Sequence, residues 1–258
     1  MSSKLSIALI QTDLIWEKPK SNMELFKKLI INYNKKTDLF ILPEMFTTGF
    51  TMNPKNVSET MNGESIITLK ELSKLSNSAI CGSMVINEGN CYYNRFIFIE
   101  PNGKIQFYDK RHTFNLVGEG SSYCVGKNTG LIEFKNWRIL LRVCYDLRFP
   151  LWSRNIHDYD LLIYVANWPA PRINAWDNLL VSRAIENMSY CIGVNRLGTD
   201  KNNNYYPGHS SVINLLGDKI CDLGDFSGVH GVILDKNHIK SNRKSLPFLD
   251  DKDDFILK

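Results

Sequence analysis

Along the chain, short apolar runs alternate with segments whose apolar positions recur at helical spacing. Residues 5–11 are a nearly unbroken apolar run that reads as a buried strand. Residues 19–33 follow as a helix, opened by Pro19, with Leu25, Phe26, Leu29, Ile30 and Tyr33 on one face. A second strand over 38–42 is stopped by Pro43, a polar loop covers 47–62, and a helix over 64–75 turns Ile67, Leu72 and Leu75 inward. Strands over 79–86, 92–100 and 104–108 then read as a meander, because Pro101-Asn102-Gly103 has the composition of a hairpin turn. The second half returns to alternation, with strands at 131–134 and 138–143, a short helix after Pro150, and a strand at 161–166. A helix over 174–188 and a strand over 190–195 come next. On that helix Trp176, Leu180, Ala184 and Met188 make a core face, Asn174 is the expected cap, and Asp177 complements the helix dipole. Strands over 211–215, 219–223 and 229–234 complete the set. The polar, basic tail from Lys236, with Pro247, is expected to wrap the surface or another subunit. No Pro/Gly/Ser-rich break interrupts the chain, so residues 1–258 read as one α/β domain with sheets inside and helices outside.

Composition adds exclusions. With 43% hydrophobic and 22% charged residues, disorder and fibrous repeats are ruled out. The net charge of +4 is spread over interspersed signs, so neither nucleic acid nor a membrane surface is an expected partner, and a small molecule is. No apolar stretch approaches the roughly 18–20 residues needed to cross a bilayer. The six cysteines are scattered without a C-x-x-C pair and no secretory signal precedes them, so a reducing, cytoplasmic setting is expected, with a core large enough to need no disulfide.

Three reactive residues share a setting: Glu44, Lys110 and Cys144 each follow a strand at its carboxyl end, where ligands gather in α/β sheets. Taken singly they have plainer readings: an inert buried thiol, a carboxylate at a helix start, a solvated lysine. No histidine carries the local signature of a papain-like partner, no H-x-H or H-E-x-x-H is present, and no Gly-rich phosphate loop follows a strand. Neither a metal nor a cofactor is expected.

The text around these residues resembles the nitrilase superfamily of carbon–nitrogen hydrolases over nearly the whole chain. The segments are Leu42-Pro43-Glu44-Met45-Phe46, Tyr108-Asp109-Lys110-Arg111-His112 and Val143-Cys144-Tyr145-Asp146-Leu147-Arg148-Phe149-Pro150. They continue in order through Asn167-Trp168-Pro169, Arg183-Ala184-Ile185-Glu186-Asn187, Val194-Asn195-Arg196 and Gly208-His209-Ser210-Ser211. The resemblance implies a four-layer α-β-β-α sandwich and a Glu44-Lys110-Cys144 catalytic set. A second family glutamate, nine positions after the lysine, falls on Glu119. It implies attack by the thiol on an amide, with Glu44 as base, and with Lys110 and the Tyr145 backbone N–H holding the oxyanion. Tyr145-Asp146 after the nucleophile, where true nitrilases have Trp-Glu, favours amide over nitrile. The matches over 144–150, 164–172 and 183–187 look like the omega-amidase branch, which hydrolyses 2-oxoglutaramate and 2-oxosuccinamate. For the carboxylate of such a substrate Arg172 is the first candidate, ahead of Arg111 and Arg148, and Arg148 reads as a structural ion pair at the start of the helix after Pro150. Phe114 and Trp168 are candidate apolar walls, and the loop 47–62 a candidate cover. The resemblance also implies a homodimer paired through the 174–188 helix and the segment after Cys144. Rival readings are a related hydrolase of N-carbamoyl amino acids or deaminated glutathione, and a non-catalytic metabolite-sensing scaffold; a scaffold has no need of thiol, base and cation together.

Overall fold

The computed structural model describes residues 3–256. In chain order the elements are β1 Lys4–Gln11, α1 Pro19–Ile31, β2 Leu39–Ile41, α2 Pro54–Val57, α3 Glu64–Ser76, β3 Ala79–Glu88, β4 Cys91–Ile99 and β5 Ile105–Asp109. There follow α4 Glu119–Ser122, β6 Leu131–Phe134, β7 Trp137–Val143, β8 Leu161–Ala166, α5 Ile173–Asn187 and β9 Tyr190–Asn195. Last come β10 Leu197–Thr199, β11 Tyr205–Pro207, β12 Ser211–Ile213, β13 Lys219–Asp222, β14 Gly228–Asp235 and α6 Lys236–Ser245.

Two six-stranded mixed sheets carry the molecule, in the orders β14-β1-β2-β3-β4-β5 and β13-β12-β9-β8-β7-β6, with β10 and β11 as a separate hairpin. The period-2 alternation of strand side chains explains the layering. On β8, Leu161, Ile163 and Val165 face the other sheet, and Leu162, Tyr164 and Ala166 face α5. On β1, Leu5, Ile7 and Leu9 meet the inter-sheet core, and Ala8 and Ile10 meet the layer holding Phe26 of α1 and Leu69 of α3. Both faces of β1 and β8 are buried over most of their length, which is why these strands read as continuous apolar runs. The result is the α-β-β-α sandwich. Among the described residues no helix is long and apolar enough to cross a membrane.

The meander turn forms as expected: Gly103 takes φ +86°, its N–H donates to the Glu100 carbonyl, and the Asn102 side chain accepts from the Lys104 N–H. On α5 the expected face is buried. Elsewhere the structure corrects the reading. On α3 the buried stripe is Ile66, Leu69 and Leu72, with Ile67 and Leu75 exposed, because two overlapping helical stripes are available there and only one meets β3 and β4. Asn174 does not cap α5, which starts one residue earlier; its Oδ1 accepts from Asn178, and Asp177 pairs with His209. The segment after Pro150 is a single 3-10 turn, Pro150–Ser153. The tail contains α6, which has one fully buried apolar residue, Ile239, and hence no apolar period to reveal it; Asp235 caps it by accepting from the Asn237 N–H at 2.9 Å. Finally, Cys91 and Cys124, expected as free thiols, form a disulfide with Cα atoms 5.8 Å apart. Their separation of 33 residues hides the fact that the segment after α4 lies along β4, where the Cys124 N–H donates to the Tyr92 carbonyl.

Candidate active site

Glu44 lies just past β2, Lys110 just past β5 and Cys144 just past β7, so three strand ends from the two facing sheets deliver them to one place. Each is set by local geometry. Cys144 has φ +45°, left-handed for a residue with a side chain, and turns the chain sharply from β7 into the 3-10 turn Cys144–Arg148. Asp146 fixes that elbow: one carboxylate oxygen accepts from the Val143 N–H at 3.0 Å and the Tyr108 hydroxyl at 2.8 Å, the other from His112. Met45, next to Glu44, also has positive φ, and its N–H is held by the Ser83 hydroxyl.

The charged groups form a buried chain. The Lys110 ammonium, 1% exposed, lies 3.1 Å from Glu44 Oε1 and 2.9 Å from both oxygens of Glu119, and both carboxylates are fully buried. Glu44 Oε1 also accepts from Asn94 Nδ2 at 2.7 Å, and Oε2 from the Asn167 N–H at 2.8 Å. The Asn167 side chain donates to the Glu44 carbonyl at 2.7 Å. Glu119 takes a further hydrogen bond from the Phe114 N–H. A lysine and two acids at this depth are tolerable only because each is ionically and hydrogen-bond satisfied.

Burial alone pulls Lys110 toward its neutral form, but the Glu119 and Glu44 carboxylates outweigh it and hold the ammonium well above the usual lysine range. Burial pushes Glu119 up, with Lys110 pulling it back. Burial first, then the negative charge of the Glu44 carboxylate, raises the Cys144 thiol well above its ordinary value.

Cys144 opens onto a cleft of about 520 Å³, its solvent-filled mouth included, and Phe114, Tyr145, Trp168 and Arg172 all line it, as does Phe50 from the 47–62 loop. Phe114 and Tyr145 pack at 4.9 Å, and Trp168 donates its indole N–H to the Arg172 carbonyl at 2.7 Å, fixing the backbone of that arginine. The loop 47–62 is tied to the Glu119 segment, since Tyr123 donates to the Thr51 carbonyl and Ser122 to that of Met52. Arg111 lies over Trp152 and does not line the cleft. Arg148 does line it, its guanidinium over the Trp168 ring, and the ion pair expected of it is not formed among the described residues, because no acid comes within reach at its exposed position.

Sequence reasoning missed Asn94, and also Asn204 and Tyr206, which enter the cleft from the β10–β11 hairpin. Asn94 was within reach: the β4–β5 ladder is symmetric about Asn102, which sets position 94 opposite Lys110. For Asn204 and Tyr206 no signal existed, since the hairpin strands have three residues each.

A thiol, a carboxylate and an ammonium meeting where the strands of two stacked sheets end, in an α-β-β-α sandwich, is the architecture of the nitrilase superfamily. The chain belongs to the carbon–nitrogen hydrolase family, whose model matches residues 6–244. It is 40% identical over 259 residues to the omega-amidase YafV of Yersinia enterocolitica, covering 99% of each chain. It is 29% identical to a 2-oxoglutaramate amidase of Bacillus subtilis, covering 96% of this chain and 97% of that one. Among solved structures, XC1258 from Xanthomonas campestris, a CN-hydrolase superfamily protein with an arsenic adduct in its active site, superposes with a TM-score of 0.96 at 35% identity over 99% of both chains.

Proposed function

We propose that this hydrolase is an omega-amidase, cleaving the terminal amide of a 2-oxo dicarboxylic acid such as 2-oxoglutaramate or 2-oxosuccinamate to the acid and ammonia. The observation that carries the reading is the Lys110 ammonium 3.1 Å from a Glu44 carboxylate that also takes two asparagine donors, at strand ends that bring Cys144 to the same cleft. Similarity to proteins named omega-amidase and 2-oxoglutaramate amidase supports the substrate class.

The first step is general-base catalysis. Glu44 takes the Sγ proton as sulfur adds to the amide carbon, and the carbonyl oxygen becomes an oxyanion held by the Lys110 ammonium and the Tyr145 N–H. Glu44 returns that proton to the nitrogen, ammonia departs, and a thioester remains on Cys144. A water then gives its proton to Glu44 and adds to the thioester carbon; collapse of this second oxyanion expels the thiolate, which recovers the proton. Glu119 is a positioning residue, keeping Lys110 charged and in place against the burial that favours its neutral form. Phe114 and Trp168 wall the cleft, and Arg172 is the counter-ion of the far carboxylate. Residues 1–258 act as one domain. A homodimer paired through α5 and the turn after Cys144 is supported by the exposed apolar side chains Leu151 and Ile185 there. A cytoplasmic location suits a nucleophile that must stay reduced, as four of the six cysteines are.

The direct test is mass spectrometry of enzyme quenched during turnover of 2-oxoglutaramate, which is expected to show a 2-oxoglutaryl group on Cys144; a steady state with Cys144 unmodified while another side chain carries the acyl group would overturn the reading. For the carboxylate, Arg172→Ala is expected to raise KM for 2-oxoglutaramate by about tenfold or more with a smaller change in kcat, the loss of one charge-assisted contact. An unchanged KM removes Arg172 from the site.

A further inference from the structure

The cleft contains more positive charge than one carboxylate requires. Arg148 and Arg172 both line it, Arg148 over the Trp168 ring and Arg172 over the Phe114 ring, each with its guanidinium carbon 5.1 Å from the ring centroid. Neither guanidinium has an ion-pair or hydrogen-bond partner among the described residues. The acids nearest the nucleophile do not supply one, because Glu44 and Glu119 are taken up by Lys110. Two stacked, unneutralised arginines on aromatic walls are preorganised cations.

We propose that Arg148 is a specificity-determining residue that makes the enzyme select the 2-oxo amide and reject the corresponding 2-amino amide. The inference rests on the omega-amidase reading. With the amide carbon at Cys144 and the far carboxylate on one guanidinium, the substituent at carbon 2 stands beside the remaining positive charge. An oxo group presents oxygen lone pairs to it. An ammonium group presents a like charge, which the guanidinium repels. The device is repulsive as much as attractive: amino-acid amides such as glutamine share the carboxylate and the terminal amide, so a carboxylate contact alone cannot exclude them. Arg148 reaches this position from the elbow itself, four residues after the nucleophile in the 3-10 turn Cys144–Arg148.

The test compares kcat/KM for 2-oxoglutaramate, glutaramate and glutamine in the wild type and in R148K, R148Q and R148E, with thermal melts to verify folding. The 2-oxoglutaramate-to-glutamine ratio is expected to fall by about tenfold or more in R148Q and further in R148E, where the sign at carbon 2 is reversed, while R148K, which keeps the charge, retains most of the discrimination. Glutaramate, carrying neither group, is expected to change least. Ratios within twofold of wild type in both R148Q and R148E overturn the proposal, as does an R148K ratio that falls as far as that of R148Q, which would make the effect one of shape. Wild-type enzyme that releases ammonia from glutaramate but none from 2-oxoglutaramate refutes the omega-amidase reading itself and this inference with it.

Discussion

Cys144→Ala is expected to lower kcat/KM on 2-oxoglutaramate by at least about 10⁴-fold, to the level that binding and oxyanion contacts alone can sustain. The sulfur is the nucleophile of the elbow, and Glu44, Lys110 and Glu119 are held by bonds that do not involve it. The remaining machinery is therefore expected to stay assembled in the variant. Alanine at φ +45° keeps the backbone conformation that cysteine already adopts, and the melting temperature is expected to move little. Because thiol and base act as a unit, adding Glu44→Gln to this variant is expected to cost little more, whereas Glu44→Gln in the wild-type background should lose most of the activity by itself. Ammonia release measured across the four proteins of this cycle checks the claim. Activity of Cys144→Ala within tenfold of wild type, or losses that multiply in the double variant, would show that Glu44 and Cys144 do not cooperate.

How much of this was legible in the sequence follows from which interactions are local. Strands buried on both faces announce themselves as apolar runs, so the strands were readable, though not their division into two sheets, and the ends of three of them already contained Glu44, Lys110 and Cys144. Their meeting was not readable from pattern, because Glu44 and Lys110, 66 positions apart, follow strands of one sheet with two others between them, and Cys144 joins them only through the stacking of the second sheet. Glu119 was reached only through its family spacing; it sits on the four-residue α4, too short for periodicity to detect. Arg148 was misassigned because a charged residue at a turn start has a common structural role, and only coordinates show that no acid among the described residues pairs with it. The disulfide, α6 and the β10–β11 hairpin were lost for related reasons: one links distant segments, one has a single apolar contact, and one has strands too short to alternate.

Lys110→Met is expected to damage both activity and stability, and the two losses have different cures. Methionine matches the length of the lysine stem but removes the cation, leaving Glu44 and Glu119 buried with no counter-charge, a situation that costs about 3–5 kcal/mol when one partner of a buried pair is removed. Loss of the oxyanion donor should lower kcat/KM by at least about 10²-fold. The stability deficit should depend on pH, with a definite sign. Glu119 is already raised above its ordinary value of 4.5 in the folded protein, so above that value the native state binds more protons than the unfolded chain and stability falls as pH rises. Removing the ammonium takes away the main influence pulling Glu119 down and widens that window upward, so the variant should lose more against wild type at about pH 8 than at about pH 5. Lys110→Met combined with Glu119→Gln should regain much of the stability, since only one buried anion then remains, without regaining activity. Denaturant melts at the two pH values, read beside ammonia release, separate the effects. A Lys110→Met protein as stable as wild type at pH 8 would mean that Glu44 and Glu119 do not both carry charge in the folded enzyme, and the electrostatic basis of the oxyanion site would have to be redrawn.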